Sequence, residues 1–303
     1  MIFADDAIEE LQTIGDLVRW GASCFQEAGL TYGHGTDNAL DESYNLVRHV
    51  LHLPHDIPQY MIQCKVTKAE RKKIVQLLLD RITTRNPAPY LINEAWFAGL
   101  GFYVDDRVLI PRSPISELIE TQFEPWIDPD RVRRVLDLCT GSGCIAVACA
   151  FAFHDAMIDA TDVSAAALEV AKINVEKYTL QEKVRLIQSD LFEGLNPAQD
   201  QYDIIVSNPP YVNAQDMASL TEEFQREPAL ALQAGQDGLD IVKRILRQAY
   251  DFLAPQGLLV VEVGNSCPEL VEQYPELPFV WPEFVRGGHG VFVLTKEQLS
   301  GDR

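Results

Sequence analysis

Four consecutive residues near the middle of the chain have the types needed to hold a planar amino group: Asn208, Pro209, Pro210 and Tyr211. The prolines restrict φ, and Pro209 keeps Asn208 out of the helical region, so the turn is rigid. Because prolines lack an N–H, the turn offers the Asn208 side-chain oxygen and the Pro209 carbonyl as acceptors for the two hydrogens of an NH₂ group. Tyr211 can stack on the plane of that group. The alternative is a turn that merely ends a strand.

A glycine-containing loop follows an apolar strand that ends near Asp137. Its glycines allow the backbone to approach a ligand, and the helix that follows offers free N–H groups. Asp162 ends the next strand, where its carboxylate can accept both hydroxyls of an adenosine ribose. This arrangement predicts a nucleoside-containing cofactor, either a nicotinamide dinucleotide or S-adenosylmethionine. The candidate cofactor-binding residues here are Asp137, Cys139, Thr140, Gly141, Ser142, Gly143 and Asp162.

A second acid, Asp190, follows the third predicted strand. A carboxylate at this place can accept a hydrogen bond from an adenine amino group, and Leu191 can form a wall beside the ring. A helix N-cap or a turn is the alternative interpretation of such an Asp. Asn208 follows the fourth strand and is a further candidate for cofactor contact.

Strands and helices alternate from about residue 132 onward, which is the pattern of a parallel sheet covered by helices on both faces. In such open sheets ligands bind beyond the carboxyl ends of the strands, where all these candidate residues are expected. Strands are predicted over residues 132–138, 157–161, 184–188, 202–207 and 257–263, and helices over residues 144–153, 164–177 and 238–253.

The end of the chain departs from this alternation. Two apolar segments, 279–285 and 291–294, are joined by a glycine-rich turn that is too short for a crossover helix, so we expect them to pair antiparallel. A reversed final strand is typical of class I methyltransferases, whereas nicotinamide-binding sheets are usually all parallel. The α/β fold is therefore expected to be Rossmann-like with S-adenosylmethionine as the cofactor, and Tyr211 to face its positive methyl-sulfonium.

These motifs resemble those of class I methyltransferases that modify planar amino groups, and among them the protein glutamine methyltransferases of the translation machinery. The resemblance extends over nearly the whole chain and implies a protein glutamine as the methyl acceptor. It gives Asn208, Pro209, Pro210 and Tyr211 the catalytic role. The segments that carry it are residues 110–117, 137–143, 208–211, 227–232 and 237–240, together with Asp162.

Two bacterial branches of that family differ at recognisable positions. Enzymes that methylate release factors usually carry Pro-Arg-Pro-Glu-Thr, whereas those that methylate a glutamine of the third large-subunit ribosomal protein typically show Arg-Ser-Pro and a Cys before the Thr-Gly loop. This chain has Arg112, Ser113, Pro114 and Cys139 at those places. The resemblance therefore implies a basic ribosomal protein as the partner, with a release factor as the alternative.

The chain is predicted to have three parts. Residues 1–90 form a helical domain that is either a substrate-recognition module or a structural cap. Residues 91–115 form a β-hairpin linker with its turn near residues 105–107. Residues 116–303 form the S-adenosylmethionine-dependent methyltransferase domain. The helical spacing in the first part covers residues 8–18, 37–53 and 67–82.

Composition limits the partners and the compartment. The 303 residues include 45 Asp and Glu against 25 Lys and Arg, which gives a formal charge of −20. This charge disfavours stable binding to nucleic acid and attracts basic proteins. A need for solubility alone can also explain the acidic composition. The acidic start, residues 1–10, lacks the basic region of a secretory signal, and the longest apolar run, 144–153, is about half of a membrane span. Six cysteines without a Cys-x-x-Cys pair are typical of a reduced, cytoplasmic protein. A monomer is slightly favoured.

Other patterns are weaker. His49, His52 and His55 have ligand-like spacing, but no Cys or acid completes a set, so no metal is expected. Arg112 can either order the approach to the sheet domain or form an ordinary surface ion pair.

Two rival functions are a methyltransferase for exocyclic amines of DNA or RNA bases and a binding protein without turnover. The acidic charge argues against the first, and the intact segment 208–211 argues against the second.

Overall fold

A computed structural model describes residues 4–300, and the chain forms two compact units. The first comprises Met1–Glu94 together with Leu220–Arg226, and the second comprises Ala95–Ser219 and Glu227–Arg303. The first three residues of the acidic start, where no secretory signal is predicted, lie outside the described residues. Residues 220–226, which follow the Asn-Pro-Pro-Tyr sequence, thus belong to the helical unit. The three-part division predicted from the sequence places them in the methyltransferase domain instead.

The first unit is helical around an apolar core. The spacing over residues 8–18 predicts one helix, but the structure has two, because Thr13 caps the start of the second. Its hydroxyl accepts the N–H of Asp16, and the Asp16 carboxylate accepts the N–H of Thr13. The same reciprocal cap, here between Thr67 and Glu70, begins the fourth helix. The helices are α1 (Ala4–Glu10), α2 (Ile14–Glu27), α3 (Ala39–Val50), α4 (Lys68–Thr84) and α5 (Ala88–Ile92).

A two-stranded antiparallel hairpin begins the second unit. Its turn lies at Ala98 and Gly99 and not at residues 105–107, where the sequence predicts it. Both turn residues have positive φ, 48° and 73°, which suits a tight two-residue hairpin connection. Residues 105–107 form a separate turn, in which the Asp105 carboxylate accepts the backbone and guanidinium N–H groups of Arg107. The strands are β1 (Ala95–Phe97) and β2 (Leu100–Phe102).

The main sheet of the second unit has six strands: β3 (Arg134–Leu138), β4 (Met157–Asp162), β5 (Val184–Gln188), β6 (Tyr202–Ser207), β7 (Leu253–Glu262) and β8 (Val291–Thr295). Their order is β5-β4-β3-β6-β7-β8, and all neighbouring pairs are parallel except β7 with β8. The winding reverses between the adjacent strands β3 and β6, and ligands bind at the carboxyl ends of strands at such a point. The predicted class I, Rossmann-like α/β fold is confirmed.

Helices accompany this sheet, and each of its faces has its own apolar core because successive strand residues point to opposite sides. Val135 and Ile204 belong to one core, whereas Leu136 and Ile205 belong to the other. Within residues 4–300 no helix combines the length and the apolar character that crossing a membrane requires. The helices are α6 (Ile115–Glu120), α7 (Cys144–Ala152), α8 (Ala165–Lys177), α9 (Ala214–Ser219), α10 (Asp240–Phe252), α11 (Cys267–Gln273) and α12 (Lys296–Leu299).

The reversed final strand is confirmed, and its predicted antiparallel pairing with residues 279–285 is confirmed at one bridge only. β8 pairs antiparallel with β7 and not with a strand over residues 279–285. Those residues make a single isolated bridge, in which the backbone groups of Val280 and Val293 exchange hydrogen bonds of 3.2 and 2.9 Å. Pro282 has no N–H to continue a ladder beyond this bridge. The segment therefore packs beside the sheet edge as an irregular connection.

Candidate active site

The glycine loop (residues 139–143) leaves the end of β3 and leads into α7. Its backbone enters the left-handed region three times, with φ of 58° at Cys139, 54° at Gly141 and 78° at Gly143. A Cβ at Gly143 would lie 3.2 Å from the Cβ of Ala171 in α8, so the absence of a side chain permits this close approach. The predicted loop therefore has the conformation for which its glycines are suited.

Asp137 lies buried beneath the glycine loop, near the end of β3. One carboxylate oxygen accepts the Thr140 hydroxyl at 2.5 Å and the Ala146 N–H at 3.0 Å, and the other oxygen has no hydrogen-bond partner in the described part of the chain. Burial raises the pKa of Asp137 to about 7. Its contacts shape the loop and the start of α7.

Asp162 ends β4 and holds the glycine loop from the neighbouring strand. Its two carboxylate oxygens accept the backbone N–H groups of Gly141 and Ser164, each at 2.9 Å. Burial raises the pKa of this carboxyl group above its usual value. Each oxygen still has a second lone pair, so Asp162 can accept further hydrogen bonds from a ligand.

Asp190 follows β5 and is paired with a residue that the sequence does not point to. Its carboxylate lies 3.0 Å from the guanidinium of Arg244 in α10. The next residue, Leu191, is buried with a left-handed φ of 52°. Arg244 therefore helps to orient the acid that is predicted to contact adenine.

Residues 208–211, which are predicted to be catalytic and are called the catalytic turn, follow β6 at the same edge of the sheet. The Ser207 hydroxyl donates to the Leu138 carbonyl at 2.8 Å, which ties the turn to the end of β3. The side-chain oxygen of Asn208 is buried and has no hydrogen-bond partner among residues 4–300. Leaving a buried acceptor unsatisfied costs about 1–3 kcal/mol. A ligand N–H placed against this oxygen would remove that cost.

Tyr211, which is predicted to stack on the substrate and to face the cofactor, is anchored by neighbours in the sheet domain. Its hydroxyl donates to Oε1 of Glu262 at 2.8 Å, and a Cβ at Gly264 would lie 2.5 Å from its ring. Its carbonyl accepts the hydroxyl of Ser266 at 3.2 Å. Burial and the Glu262 carboxylate raise the pKa of the Tyr211 phenol. The ring therefore supports the catalytic turn.

The strap (residues 110–114) connects the region of the hairpin to α6. The guanidinium of Arg112 donates two hydrogen bonds to the two carboxylate oxygens of Glu227, at 2.6 and 2.7 Å. The Glu227 side chain is fully buried and also accepts the N–H of Ile110 at 3.0 Å. Of the two roles considered for Arg112, the structure favours ordering of the site over an ordinary surface ion pair.

Sequence reasoning misses two acids near the site. Glu227 starts a segment that contributes to the resemblance, but it has no predicted role. Glu262 ends β7 and accepts the hydroxyls of Ser113 and Tyr211. An acid at the end of an otherwise apolar strand is the signal that could have identified it.

A cavity of about 190 Å³ opens at the carboxyl ends of the strands. The predicted residues that line it are Cys139, Thr140, Gly141, Ser142, Asp162, Asp190, Leu191, Asn208 and Pro210. The predicted residues outside its lining are Asp137, Gly143, Pro209 and Tyr211. Arg112, Pro228 and Leu230 add to the wall, so the strap and the segment after the catalytic turn also form the cavity.

The chain is similar to proteins of known name along almost its whole length. The "Methyltransferase small domain" family matches residues 122–237. A Neisseria meningitidis serogroup B protein, ribosomal protein uL3 glutamine methyltransferase, is 50% identical over 302 residues, or 99% of each chain. This chain belongs to the ribosomal protein uL3 glutamine methyltransferase family. The serogroup A protein of the same name is also 50% identical, over 99% of each chain.

Among solved structures, the catalytic domain of hMettl16 in complex with MAT2A 3′UTR hairpin 6 has a TM-score of 0.51 and 20% identity. The similarity covers 73% of this chain and 80% of that one, and it shows the methyltransferase fold. The branch favoured by Arg112, Ser113, Pro114 and Cys139 is the branch of the Neisseria relatives. The chain is thus a methyltransferase of the uL3 glutamine methyltransferase family.

S-adenosylmethionine is the cofactor of this methyltransferase, and the cavity residues fit it. Asp162 has free lone pairs for ribose hydroxyls, while Asp190 and Leu191 offer an acceptor and an apolar wall for adenine. The glycine loop brings its backbone to the cavity. Among the described residues, the side-chain oxygen of Asn208 has no partner and can still accept a hydrogen bond.

Proposed function

We propose that this protein transfers a methyl group from S-adenosylmethionine to the side-chain amide nitrogen of a glutamine in ribosomal protein uL3. The observation that carries the proposal is the buried, unpartnered side-chain oxygen of Asn208 at the cavity. A primary amide presents two N–H donors, which this oxygen and the Pro209 carbonyl would accept. The 50% identity to named uL3 glutamine methyltransferases over 99% of the chain supports the choice of substrate.

The chain's own residues act mainly by positioning. When bound, S-adenosylmethionine would supply the electrophilic methyl group: its S–CH₃ bond would break as the N–C bond forms, and S-adenosylhomocysteine would be the leaving product. Asn208 and Pro209 would hold both amide N–H bonds toward one side, which favours a pyramidal nitrogen and directs its lone pair at the methyl carbon. As the new N–C bond forms, the nitrogen becomes acidic and releases one proton to solvent, so no strong base is required beforehand. Positioning of this kind can lower the barrier by about 7–11 kcal/mol.

The remaining parts of the molecule have proposed roles in recognition. The helical unit would bind the folded or assembling ribosomal protein. The net charge of −20 would attract a basic ribosomal protein and disfavour stable binding to nucleic acid. We propose the cytoplasm, where ribosomal proteins are made, as the place of action.

The substrate is tested with labelled S-adenosylmethionine and three purified acceptors: uL3, a class I release factor and ribosomal RNA. We expect label on uL3 alone, and mass spectrometry should locate the added methyl on one glutamine. Label on the release factor would preserve the chemistry and refute the uL3 assignment. Methylation of the RNA alone would refute the substrate class.

The role of Asn208 is tested by Asn208→Ala, with Asn213→Ala as the matched control. Asn213 does not line the cavity and accepts the N–H of Asp216 at 2.8 Å, at the start of α9. We expect kcat on uL3 to fall about 100-fold or more for Asn208→Ala, as for other losses of a positioning contact. Equal kcat values for wild type and Asn208→Ala would contradict the proposed role.

A further inference from the structure

Glu262 joins two parts of the site that are far apart in sequence. It ends β7, and only 5% of its surface is exposed. One carboxylate oxygen accepts the hydroxyl of Tyr211 at 2.8 Å, and the other accepts the hydroxyl of Ser113. The carboxylate thus links the catalytic turn to the strap.

The surroundings leave the Tyr211 ring little freedom. Gly264 approaches the ring so closely that a Cβ there would clash with it at 2.5 Å. The Ser113 hydroxyl in turn accepts the N–H of Ile115 at 3.2 Å, at the start of α6. Any displacement of the Glu262 carboxylate would therefore be transmitted to the catalytic turn and to the strap.

The charge state of Glu262 decides whether both contacts persist. The charged or titratable groups that act on it are Arg112 of the strap, Tyr211 of the catalytic turn and His289 before β8. Burial raises the pKa of Glu262 above its usual value, while its two hydrogen bonds and Arg112 oppose that shift. An ionised carboxylate accepts from both hydroxyls, but a protonated one must use an oxygen as a donor.

We propose that Glu262 is a positioning residue for methyl transfer, which holds the Tyr211 and Ser113 hydroxyls together and so keeps Asn208 in place at the cavity. This inference rests on the proposed function, because Asn208 is taken to hold the amide of the acceptor. Glu262 does not touch the substrate or the cofactor in this scheme, and it acts through the catalytic turn.

The principal variant is Glu262→Gln, which keeps the size of the side chain but can no longer accept from both hydroxyls. At saturating S-adenosylmethionine we expect kcat on uL3 to fall about 10- to 100-fold, because a small misplacement of the reacting group has that effect. KM for the cofactor and for uL3 should change less than threefold.

The pH profile separates positioning from general destabilisation. The raised pKa means that Glu262 becomes protonated at a higher pH than an exposed glutamate, so wild-type kcat should decline on the acid side as the carboxylate is lost. Glu262→Gln should lack this decline. Glu262→Asp, which restores the charge at a shorter reach, should recover part of kcat.

The matched control is another tyrosine that donates to a buried carboxylate of the same sheet. The Tyr202 hydroxyl donates to Asp159 at 2.7 Å, and neither residue lines the cavity. Tyr202→Phe should lower the melting temperature without changing kcat, whereas Tyr211→Phe should lower kcat. The Tyr211→Phe/Glu262→Gln double variant should lose little more than either single variant, because both changes break one linkage.

A substrate-free readout distinguishes this inference from the proposed function. In protein labelled with ¹³C at the tyrosine ζ carbon, the Tyr211 signal, assigned from Tyr211→Phe, should shift with pH in wild type but not in Glu262→Gln. If wild type fails to methylate uL3 while this shift is present, the proposed function fails and the linkage stands. A Tyr211 signal independent of pH and of Glu262, or wild-type kcat and pH profile in Glu262→Gln, would overturn the inference.

Discussion

At the scale of single residues, the two carboxylate oxygens of Asp162 serve both a contact within the protein and the proposed contact with a ligand. Its oxygens already accept the N–H groups of Gly141 and Ser164, so the acid shapes the glycine loop before any ligand binds. Its remaining lone pairs are available to ribose hydroxyls. A ligand therefore meets an acceptor that the protein itself holds in position.

Asp162→Ala should weaken binding of S-adenosylmethionine at least about 10-fold, since it removes the acceptor for the ligand and leaves the part-buried N–H groups of Gly141 and Ser164 without theirs. Isothermal titration calorimetry measures this directly. Asn208→Ala is the comparison and should retain cofactor affinity within about threefold while losing turnover. If Asn208→Ala weakened cofactor binding as much as Asp162→Ala, the separation of their roles would be wrong.

The candidate site residues that can be predicted from the sequence are those that directly follow a recognisable buried strand. Asn208 and the glycine loop follow buried strands, and parallel strands bring their carboxyl ends together. Arg112 and Glu227 are 115 positions apart, and Ser113 and Glu262 are 149 apart. No periodicity encodes such partners, because they depend on how strands that are distant in sequence become neighbours.

At the scale of elements, β6 and β7 place the catalytic turn and its support side by side. The two strands are parallel neighbours, so Tyr211 after β6 meets Glu262 at the end of β7 and Gly264 just beyond it. Gly264 has a φ of 49°, and its missing side chain leaves room for the phenol ring. The close pairing of two strand ends thus determines the ring's position.

Gly264→Ala should lower kcat about 10-fold or more, since its Cβ would push the Tyr211 ring away from its place and small displacements are costly in positioning catalysis. Gly287→Ala is the matched control, because Gly287 also has a positive φ, 85°, but nothing lies within 4 Å of its Cβ position. Turnover and melting temperature are measured for both. Equal losses of turnover would attribute the effect to backbone strain and contradict the role of the ring.

The elements also show why some boundaries were wrong. The hairpin turn formed at Ala98 and Gly99, although the charged residues 105–107 are the stronger turn signal in the sequence. A single glycine sufficed there because the paired strands could bury Phe97 and Phe102 in the same core. Burial by partners from elsewhere in the chain therefore overrode the local preference.

At the scale of the whole molecule, the helical unit includes Leu220–Arg226 from beyond the catalytic turn. Glu223 is buried there and accepts the Thr31 N–H at 3.1 Å and the Arg85 guanidinium at 3.0 Å. Burial disfavours its charge, but these hydrogen bonds prevail and lower the pKa of Glu223. The Phe224 ring lies 4.2 Å from the His34 ring.

Glu223→Ala should destabilise the helical unit by about 3 kcal/mol, because it removes the carboxylate that lies 3.6 Å from the buried guanidinium of Arg81 and accepts from Arg85 and Thr31. Limited proteolysis should then cut the chain near residues 220–226 faster than in wild type. Glu222→Ala is the matched control, since the side chain of Glu222 is 70% exposed and lies 3.6 Å from Arg85. Similar cleavage rates for the two variants would contradict the anchoring role of Glu223.

Because residues 220–226 belong to the first unit, recombination between related genes can exchange that unit only in certain ways. A crossover that exchanged only the codons before Ala95 would combine a foreign set of helices with this chain's own Glu223 and Phe224. Those helices would have to supply, by coincidence, donors equivalent to Thr31 and Arg85. Exchange of the complete helical unit therefore requires three breakpoints, one after Glu94 and two that flank Leu220–Arg226.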